Sequence, residues 1–179
     1  MELIEMQSVM EAIIYVADDP VKPEQFKEVF PDDSVETIRQ ALKSMVESFN
    51  ARPGGMLIRE VAGGYRMTTR PEHHEQIRAY LKTRPNAKLS MAALETLAVI
   101  AYKQPVTLAE ILAIRGKRSS TALQTLLERK LVAILGRKPV VGRPVLYGTS
   151  REFLIHFGLN NLSDLPTLEE FAQMAGEQL

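Results

Sequence analysis

The chain has 179 residues, 22 Lys+Arg against 22 Asp+Glu, 45% hydrophobic and 25% charged residues, and no cysteine. This length favours one or two domains, and a composition so close to the globular average excludes collagen-like, low-complexity and wholly disordered chains. Net neutrality denies the chain the overall field of a protein that clings to nucleic acid by charge alone, and the lack of cysteine removes disulfides, thiolate catalysis, Cys-ligated zinc and iron–sulfur clusters.

Glu2 and Glu5 stand where a signal peptide needs positive charge. The longest apolar runs, Ala12–Ala17 and Leu97–Tyr102, fall far short of the roughly 20 residues that span a bilayer, so a cytoplasmic protein with no membrane partner is expected.

In chain order, Met6, Val9, Met10, Ile13, Ile14 and Ala17 recur at helical spacing, and Asp18-Asp19-Pro20 stops that first helix. Pro23 opens a short second helix with Phe26, Val29 and Phe30, which Pro31 ends because its ring fixes φ and lacks an N–H. Asp33 followed by Glu36 resembles a capping box for a third helix, whose Val35, Ile38, Leu42, Met45, Val46 and Phe49 form one stripe. After Arg52-Pro53-Gly54-Gly55, the β-rich runs Met56–Val61 and Tyr65–Thr69 flank Ala62-Gly63-Gly64, a hairpin whose glycines supply positive φ. Three helices and a hairpin in this order predict a winged helix. Pro71–Leu81 then reads as a helix with Ile77, Tyr80 and Leu81 on one face.

The pattern restarts beyond a linker containing Arg84-Pro85-Asn86. Ser90–Tyr102 is helical, Pro105 breaks it, and Thr107-Leu108-Ala109-Glu110 is a capping box for a helix closed by Arg115-Gly116. Ser119 or Ser120 caps a third helix with Leu123, Leu126, Leu127 and Leu131 on one side, and Val132–Leu135 with Val145–Thr149 forms a second wing. An offset of 85 residues carries Pro20 onto Pro105, Val21 onto Val106, Ile14 onto Val99, Phe26 onto Ile111, Val29 onto Ile114, Ile38 onto Leu123 and Leu42 onto Leu127. Past the wing the offset is 81, carrying Thr68-Thr69-Arg70 onto Thr149-Ser150-Arg151, which predicts a duplication with a second wing four residues shorter. A short helix over Arg151–Phe157 ends at Gly158, and an acidic helix is expected around Thr167–Met174.

The expected fold is therefore mainly α with small β wings, an α+β chain of two tandem winged-helix domains. The first covers 1–82 including its following helix, a linker covers 83–89, the second domain covers 90–158, and a tail with a short acidic helix covers 159–179.

Signatures of catalysis fail on spacing. His73 and His74 are adjacent and point to different sides of a helix, while His156 lies elsewhere without an acidic neighbour at i+3 or i+4. Asp18-Asp19 and Asp32-Asp33 abut helix ends and proline turns, where Asp caps chains. Gly54-Gly55 and Gly63-Gly64 lack the phosphate-loop spacing, and no nucleophile has a base beside it. No enzyme activity, metal or cofactor is expected.

Nucleic-acid binding is the competing reading, since a winged helix often lays its third helix in the major groove. Residues 115–151 carry nine cations, Arg115, Lys117, Arg118, Arg129, Lys130, Arg137, Lys138, Arg143 and Arg151, against Glu128 alone. Yet the third helix offers only Thr121, Gln124, Thr125, Glu128 and Arg129 opposite its leucines, and its counterpart offers Glu36, Arg39, Gln40, Lys43 and Glu47, poor sets for reading base edges. Protein recognition fits better: Arg-rich surface beside Tyr102, Pro105, Pro144 and Tyr147, with the tyrosines equally able to complete the core.

The stretch Leu89-Ser90-Met91-Ala92-Ala93-Leu94-Glu95-Thr96-Leu97-Ala98-Val99-Ile100-Ala101-Tyr102-Lys103-Gln104-Pro105-Val106-Thr107 resembles the signature of the bacterial segregation and condensation protein B family. The likeness continues through Leu126-Leu127-Glu128-Arg129-Lys130-Leu131-Val132, Gly142-Arg143-Pro144-Val145-Leu146-Tyr147-Gly148-Thr149 and Leu165-Pro166-Thr167-Leu168. Residues 1–80 agree in layout and in Tyr65-Arg66 and Thr69-Arg70-Pro71.

The resemblance implies a non-enzymatic accessory subunit acting in chromosome condensation and segregation, cytoplasmic and nucleoid-associated. It implies a homodimer formed through residues 1–80, a kleisin partner (segregation and condensation protein A), and through the kleisin an SMC ATPase that hydrolyses the ATP. Chromosomal DNA would be met indirectly or weakly. A winged-helix transcription regulator is the alternative. The kleisin surface is expected at Tyr102, Lys103, Gln104, Pro105, Arg115, Arg137, Arg143, Pro144 and Tyr147, where the motif is densest and periodicity shows no core role, and the dimer contact is expected in the first domain because Phe26, Phe30, Met45 and Phe49 give it a generous apolar supply. Lys130 departs from the family's glycine, a position where αL backbone costs lysine on the order of 1 kcal/mol.

Overall fold

The computed structural model describes residues 2–81, 89–116, 119–167 and 170. The chain divides into two compact units, Met1–Pro85 and Asn86–Leu179. The linker expected over 83–89 lies outside the described residues except for Leu89, and so does nearly all of the acidic helix expected around Thr167–Met174.

In the first unit, α1 (Leu3–Val16) buries Met6, Met10 and Ile14, spaced four apart. Pro23 opens a 3₁₀ helix, Pro23–Glu28, that buries Phe26, and Phe30 joins it in the core. The next helix, α2 (Val35–Ala51), is capped by Ser34, whose hydroxyl accepts the Thr37 N–H at 3.0 Å. The expected cap at Asp33 lies one residue too early, because it is Ser34 that holds the extended conformation from which a side chain reaches Thr37. Ile38, Ala41, Leu42 and Met45 complete the core with Ile58.

The wing is β1 (Met56–Val61) paired antiparallel with β2 (Gly64–Thr69). The turn is two residues, with Ala62 at φ 51 and Gly63 at φ 74, and Gly64 pairs with Val61 instead of belonging to the loop. Positive φ at both turn residues matches the twist of the strands. Asn50, near the end of α2, accepts the Ile58 N–H at 2.8 Å and donates to the Ile58 carbonyl at 2.9 Å, so its amide pairs with β1 as another strand would. Arg70 donates to the Asn50 and Arg52 carbonyls at 2.7 and 2.9 Å, satisfying the end of α2. Beyond a 3₁₀ turn at Pro71–His73 comes α3 (His74–Leu81), which buries nothing: Tyr80 and Leu81 are exposed.

The second unit repeats the plan. Ser90 caps α4 (Met91–Lys103), Thr107 and Glu110 form the expected capping box of α5 (Leu108–Arg115), and α6 is Ser119–Glu128. The sheet runs in the order β3-β5-β4, with β3 Val106–Thr107, β4 Val132–Arg137 and β5 Val145–Thr149. Neither β3 nor the two residues that lengthen β4 follow from the sequence pattern. Ser150 caps α7 (Arg151–Phe157), which Gly158 ends in the left-handed region. A 3₁₀ turn at Leu162–Asp164 follows.

The repeat is visible in the geometry, with two corrections. Phe26 and Ile111, and Ile38 and Leu123, are buried as expected, but Val29 and Ile114 are both exposed because the chain has already left each second helix's inner face. The residues lost in the second copy come from its third helix, 10 residues against 17 in α2. The second wing is the longer one, its strands joined over residues 138–144 where the first wing needs two residues.

Leu131 is not on α6. Lys130 takes φ 59, its N–H donates to Leu127 O at 2.9 Å, and the Leu131 N–H donates to Leu126 O at 2.9 Å, the Schellman closure in which glycine is usual. The closure is intact with lysine, at a local conformational cost. Lys130→Gly should therefore stabilise the protein by about 1 kcal/mol, read as a rise in the denaturant midpoint with unchanged slope. A neutral or lowered midpoint would show that Lys130 makes compensating contacts.

Candidate partner-binding surface

The segment after α4 is tied to the wing. Gln104 accepts the Thr149 N–H at 2.8 Å through Oε1, donates to the Ala101 carbonyl at 3.0 Å through Nε2, and also meets the Thr149 hydroxyl. The Gln104–Pro105 peptide is cis, and Val106 and Thr107 pair with Tyr147 and Leu146. Gly148 is small for a reason, since a Cβ there would lie 2.6 Å from Gln104 Oε1 and 2.5 Å from Leu135 Cδ1.

Gln104 thus has a folding role that its position off the leucine stripe did not reveal. Tyr147 is half-buried against the core, which settles that tyrosine as part of it, while Tyr102 is 38% exposed with its hydroxyl donating to the Pro166 carbonyl at 2.7 Å. Lys103 and Pro105 are exposed.

The wing contributes a second cluster. Arg137 donates to the Arg143 carbonyl at 3.0 Å, and the Lys138 N–H donates to the Pro144 carbonyl at 2.9 Å. Arg143 holds φ 41, so the turn is pinned while both guanidinium-bearing residues stay exposed. Exposed Ile134 and Leu135 on the edge strand β4, with Val140 and Val141 at the tip, add apolar area that the residue-by-residue reading missed. A search for apolar residues on both sides of one wing strand would have found the first two.

Arg115 does not join these clusters. Its guanidinium is ion-paired with Glu95 of α4, which lies about 10 Å along the helix axis from Tyr102. Lys138 is likewise paired, with Glu110 at 2.7 Å. The basic run over 115–151 is therefore partly cancelled by carboxylates from α4 and α5, and Lys117 and Arg118 lie outside the described residues. On α6, Gln124 donates to Glu128 at 3.1 Å and the Thr125 hydroxyl to the Thr121 carbonyl at 3.1 Å, so the face available for base edges is occupied with itself. In the first unit Arg39 is paired with Glu24 at 2.5 Å.

The expected apolar supply of the first unit is also redistributed. Phe26, Phe30 and Met45 are buried in its core and Phe49 packs against it, so none of the first three can face a partner. Exposed apolar surface lies on α1, where Ile4 is 75% and Tyr15 71% exposed, and also on α3 at Tyr80 and Leu81. Tyr15 borders a cavity of about 470 Å³ lined by Ala12, Phe49, Met56 and Met67, with Ser8 and Glu11 at its polar side.

Among the described residues no three His, Asp or Glu side chains come together as a metal would need, and no helix is long and apolar enough to cross a membrane.

A family model described as segregation and condensation complex subunit ScpB matches residues 8–168. Segregation and condensation protein B of Syntrophotalea carbinolica is 45% identical over 177 residues, which is 99% of this chain and 89% of that protein. The protein of the same name from Myxococcus xanthus is 42% identical over 174 residues, 96% of this chain and 52% of the relative. The crystal structure of ScpB from Mycobacterium tuberculosis aligns at 33% identity over 89% of this chain and 98% of its own, with a TM-score of 0.43.

Glu110 is the most strongly perturbed group of this surface. The Lys138 ammonium, followed by the Thr107 N–H and hydroxyl, lowers its pKa from 4.5 to about 2. A depressed carboxyl stabilises the fold fully above its unfolded value and ceases to do so as pH falls through the folded one. Glu110→Gln should therefore be less stable than the parent near neutrality, and the difference should shrink between pH 4.5 and 2. Thermal unfolding of both proteins across that range checks this, and parallel curves would show that the pair carries no stability.

Proposed function

The chain belongs to the segregation and condensation complex subunit ScpB family and so serves in chromosome segregation and condensation; from that premise we propose that it acts as a homodimer whose second unit binds the kleisin subunit. Through the kleisin it assists an SMC ATPase, in the cytoplasm and on the nucleoid, and it performs no chemistry of its own. The observation that carries this reading is the pairing of exposed Arg137 and Arg143 on a pinned, apolar-tipped wing. Arginine beside apolar surface is the composition of protein interfaces, where its planar head binds several acceptors at once.

The internally bonded face of α6 favours this reading over a sequence-reading regulator. Direct DNA contact is confined to weak, salt-sensitive binding, since Glu95 and Glu110 pair with Arg115 and Lys138 of the basic run and phosphate contacts weaken steeply with salt.

Two sets of substitutions test it. Arg137→Ala and Arg143→Ala should keep the melting temperature and weaken binding of a kleisin fragment by more than tenfold, as truncating an interface arginine commonly does. Arg115→Ala should lower the melting temperature, because it leaves Glu95 without its partner. Wild-type affinity in both wing variants would remove the wing from the interface.

The dimer contact is assigned to the outer side of α1 around Ile4 and Tyr15, where large apolar side chains meet solvent. Tyr15→Asp should convert the full chain from dimer to monomer in sedimentation equilibrium at tens of micromolar while leaving its circular dichroism unchanged. An undisturbed dimer would move the contact elsewhere.

A further inference from the structure

We propose that the open edge of β4 takes up an extended, acidic segment of the kleisin as an added strand; that the segment is the kleisin's rests on the function proposed for the second unit. β4 is the outer strand of the β3-β5-β4 sheet, so one side of its backbone has no strand beside it. In an antiparallel pair, alternate residues bond across to the partner, and those between them turn both backbone groups away. The Ser150 N–H donates to the Leu131 carbonyl at 3.2 Å, which puts Leu131 and Ala133 in the inward phase and Val132 and Ile134 in the outward one. Thr149, opposite Val132, accordingly gives its N–H to Gln104. Beyond the bulge at Leu135, the Lys138 N–H donates to the Pro144 carbonyl at 2.9 Å, so Arg137 is outward again. Val132 is buried, which leaves Ile134 and Arg137 as the accessible part of the edge.

The first wing closes the same edge and the second does not. Tyr65 and Tyr147 hold equivalent places, each paired with the segment that leaves the first helix of its unit. Opposite Tyr65 stands Glu60, exposed and charged, and two residues earlier the outward groups of Ile58 are both taken by the Asn50 amide. A charge and a covering group are common protections of an edge strand. Opposite Tyr147 stands Ile134, which is 62% exposed, and no side chain among the described residues bonds its backbone.

Apolar surface flanks this backbone on both faces of the sheet. Ile134 shares the face of Tyr147, its partner across the pair. Leu135, 54% exposed, lies on the other face, where its Cδ1 is the atom that a Cβ on Gly148 would meet. A strand added beside β4 sends its own alternate side chains to these two faces, so the main chain supplies hydrogen bonds while Ile134 and Leu135 grip the side chains.

Charge selects the occupant. Arg137 and Arg143 are exposed at one end of the edge and Lys130 at the other, and among the described residues no carboxylate pairs with any of the three. A second copy paired edge to edge brings cationic ends together in either strand direction, whereas an acidic segment neutralises them. The bulge also bends the edge, which keeps the accessible stretch from Ile134 to Arg137 to about 10 Å, room for three or four residues of a narrow, extended chain.

Amide exchange in the full chain, followed by NMR with and without a saturating kleisin fragment, tests the added strand. The Ile134 and Arg137 amides should slow by about tenfold or more in the complex, while the Ala133 amide, already facing β5, should change little. Ile134→Pro removes the outward N–H and leaves the pairing with β5 intact, which an edge strand tolerates. It should bind the fragment about tenfold more weakly than Ile134→Ala, both variants melting near the parent temperature. If Ile134→Pro melts early, exchange in the unaltered chain decides alone. A bound fragment that leaves both amides exchanging freely would overturn the added strand and keep the kleisin assignment, whereas a fragment that does not bind would refute that assignment and the proposal with it. Protection that grows with protein concentration in the absence of kleisin would make a second copy the occupant, and an affinity that is the same at low and physiological salt would overturn the acidic one.

Discussion

In each unit the segment that leaves the first helix pairs its backbone with the second strand of the wing, and the rest of the unit is arranged around that pairing. In the first unit Val21 and Tyr65 exchange N–H···O bonds of 2.9 and 2.8 Å. In the second, Val106 and Thr107 pair with Tyr147 and Leu146. A bond at this crossing joins residues about forty positions apart in sequence, so it closes the three-helix unit against the hairpin and fixes which face of the wing is buried. Close approach is part of the design: a Cβ on Gly64 would sit 2.8 Å from the Pro20 carbonyl, backbone that cannot step aside. The turn that displays Tyr102 and Lys103 is held by the same crossing, through the four contacts of the Gln104 amide.

Charge in this protein is arranged by the fold more than by the chain. The run from Arg115 to Arg151 is strongly basic as a string, yet Glu95 and Glu110 come from outside it to pair with Arg115 and Lys138. Partly exposed pairs of this kind add at most about 1 kcal/mol of stability each. Their effect is to weaken a diffuse basic field while Arg137 and Arg143 stay exposed on the wing, which suits recognition of one protein surface better than attraction to the phosphate backbone. The Glu110 carboxylate joins the cap of α5 to the start of the wing loop, so one side chain serves both a helix end and the positioning of that surface.

Both first helices are apolar on two sides. α1 buries Met6, Met10 and Ile14 while showing Ile4 and Tyr15, and α4 buries Leu97 and Ile100 while showing Met91 and Leu94. One face of each is explained by its own core, and the other stays exposed. A subunit whose work is assembly needs surfaces of this kind more than it needs a cleft.

Sequence alone determined the class of fold, the duplication and the family, because these rest on local signals: apolar periodicity, prolines at helix starts, the Thr107–Glu110 capping box and a long run of motif residues. It also located the conformational anomaly at Lys130, since a Schellman closure depends on a few neighbouring residues. What it could not determine depends on residues distant in sequence. The two-residue β3 exists only because β5 is there to pair with it, Gln104 has a role only once Thr149 reaches it, and Arg115 and Lys138 lose their freedom to carboxylates from α4 and α5. Phe26, Phe30 and Met45 look like spare apolar surface until the core closes over them, and Tyr15 looks ordinary until it is left outside. Periodicity says that a face is apolar; only the packed chain says whether that face has already been covered.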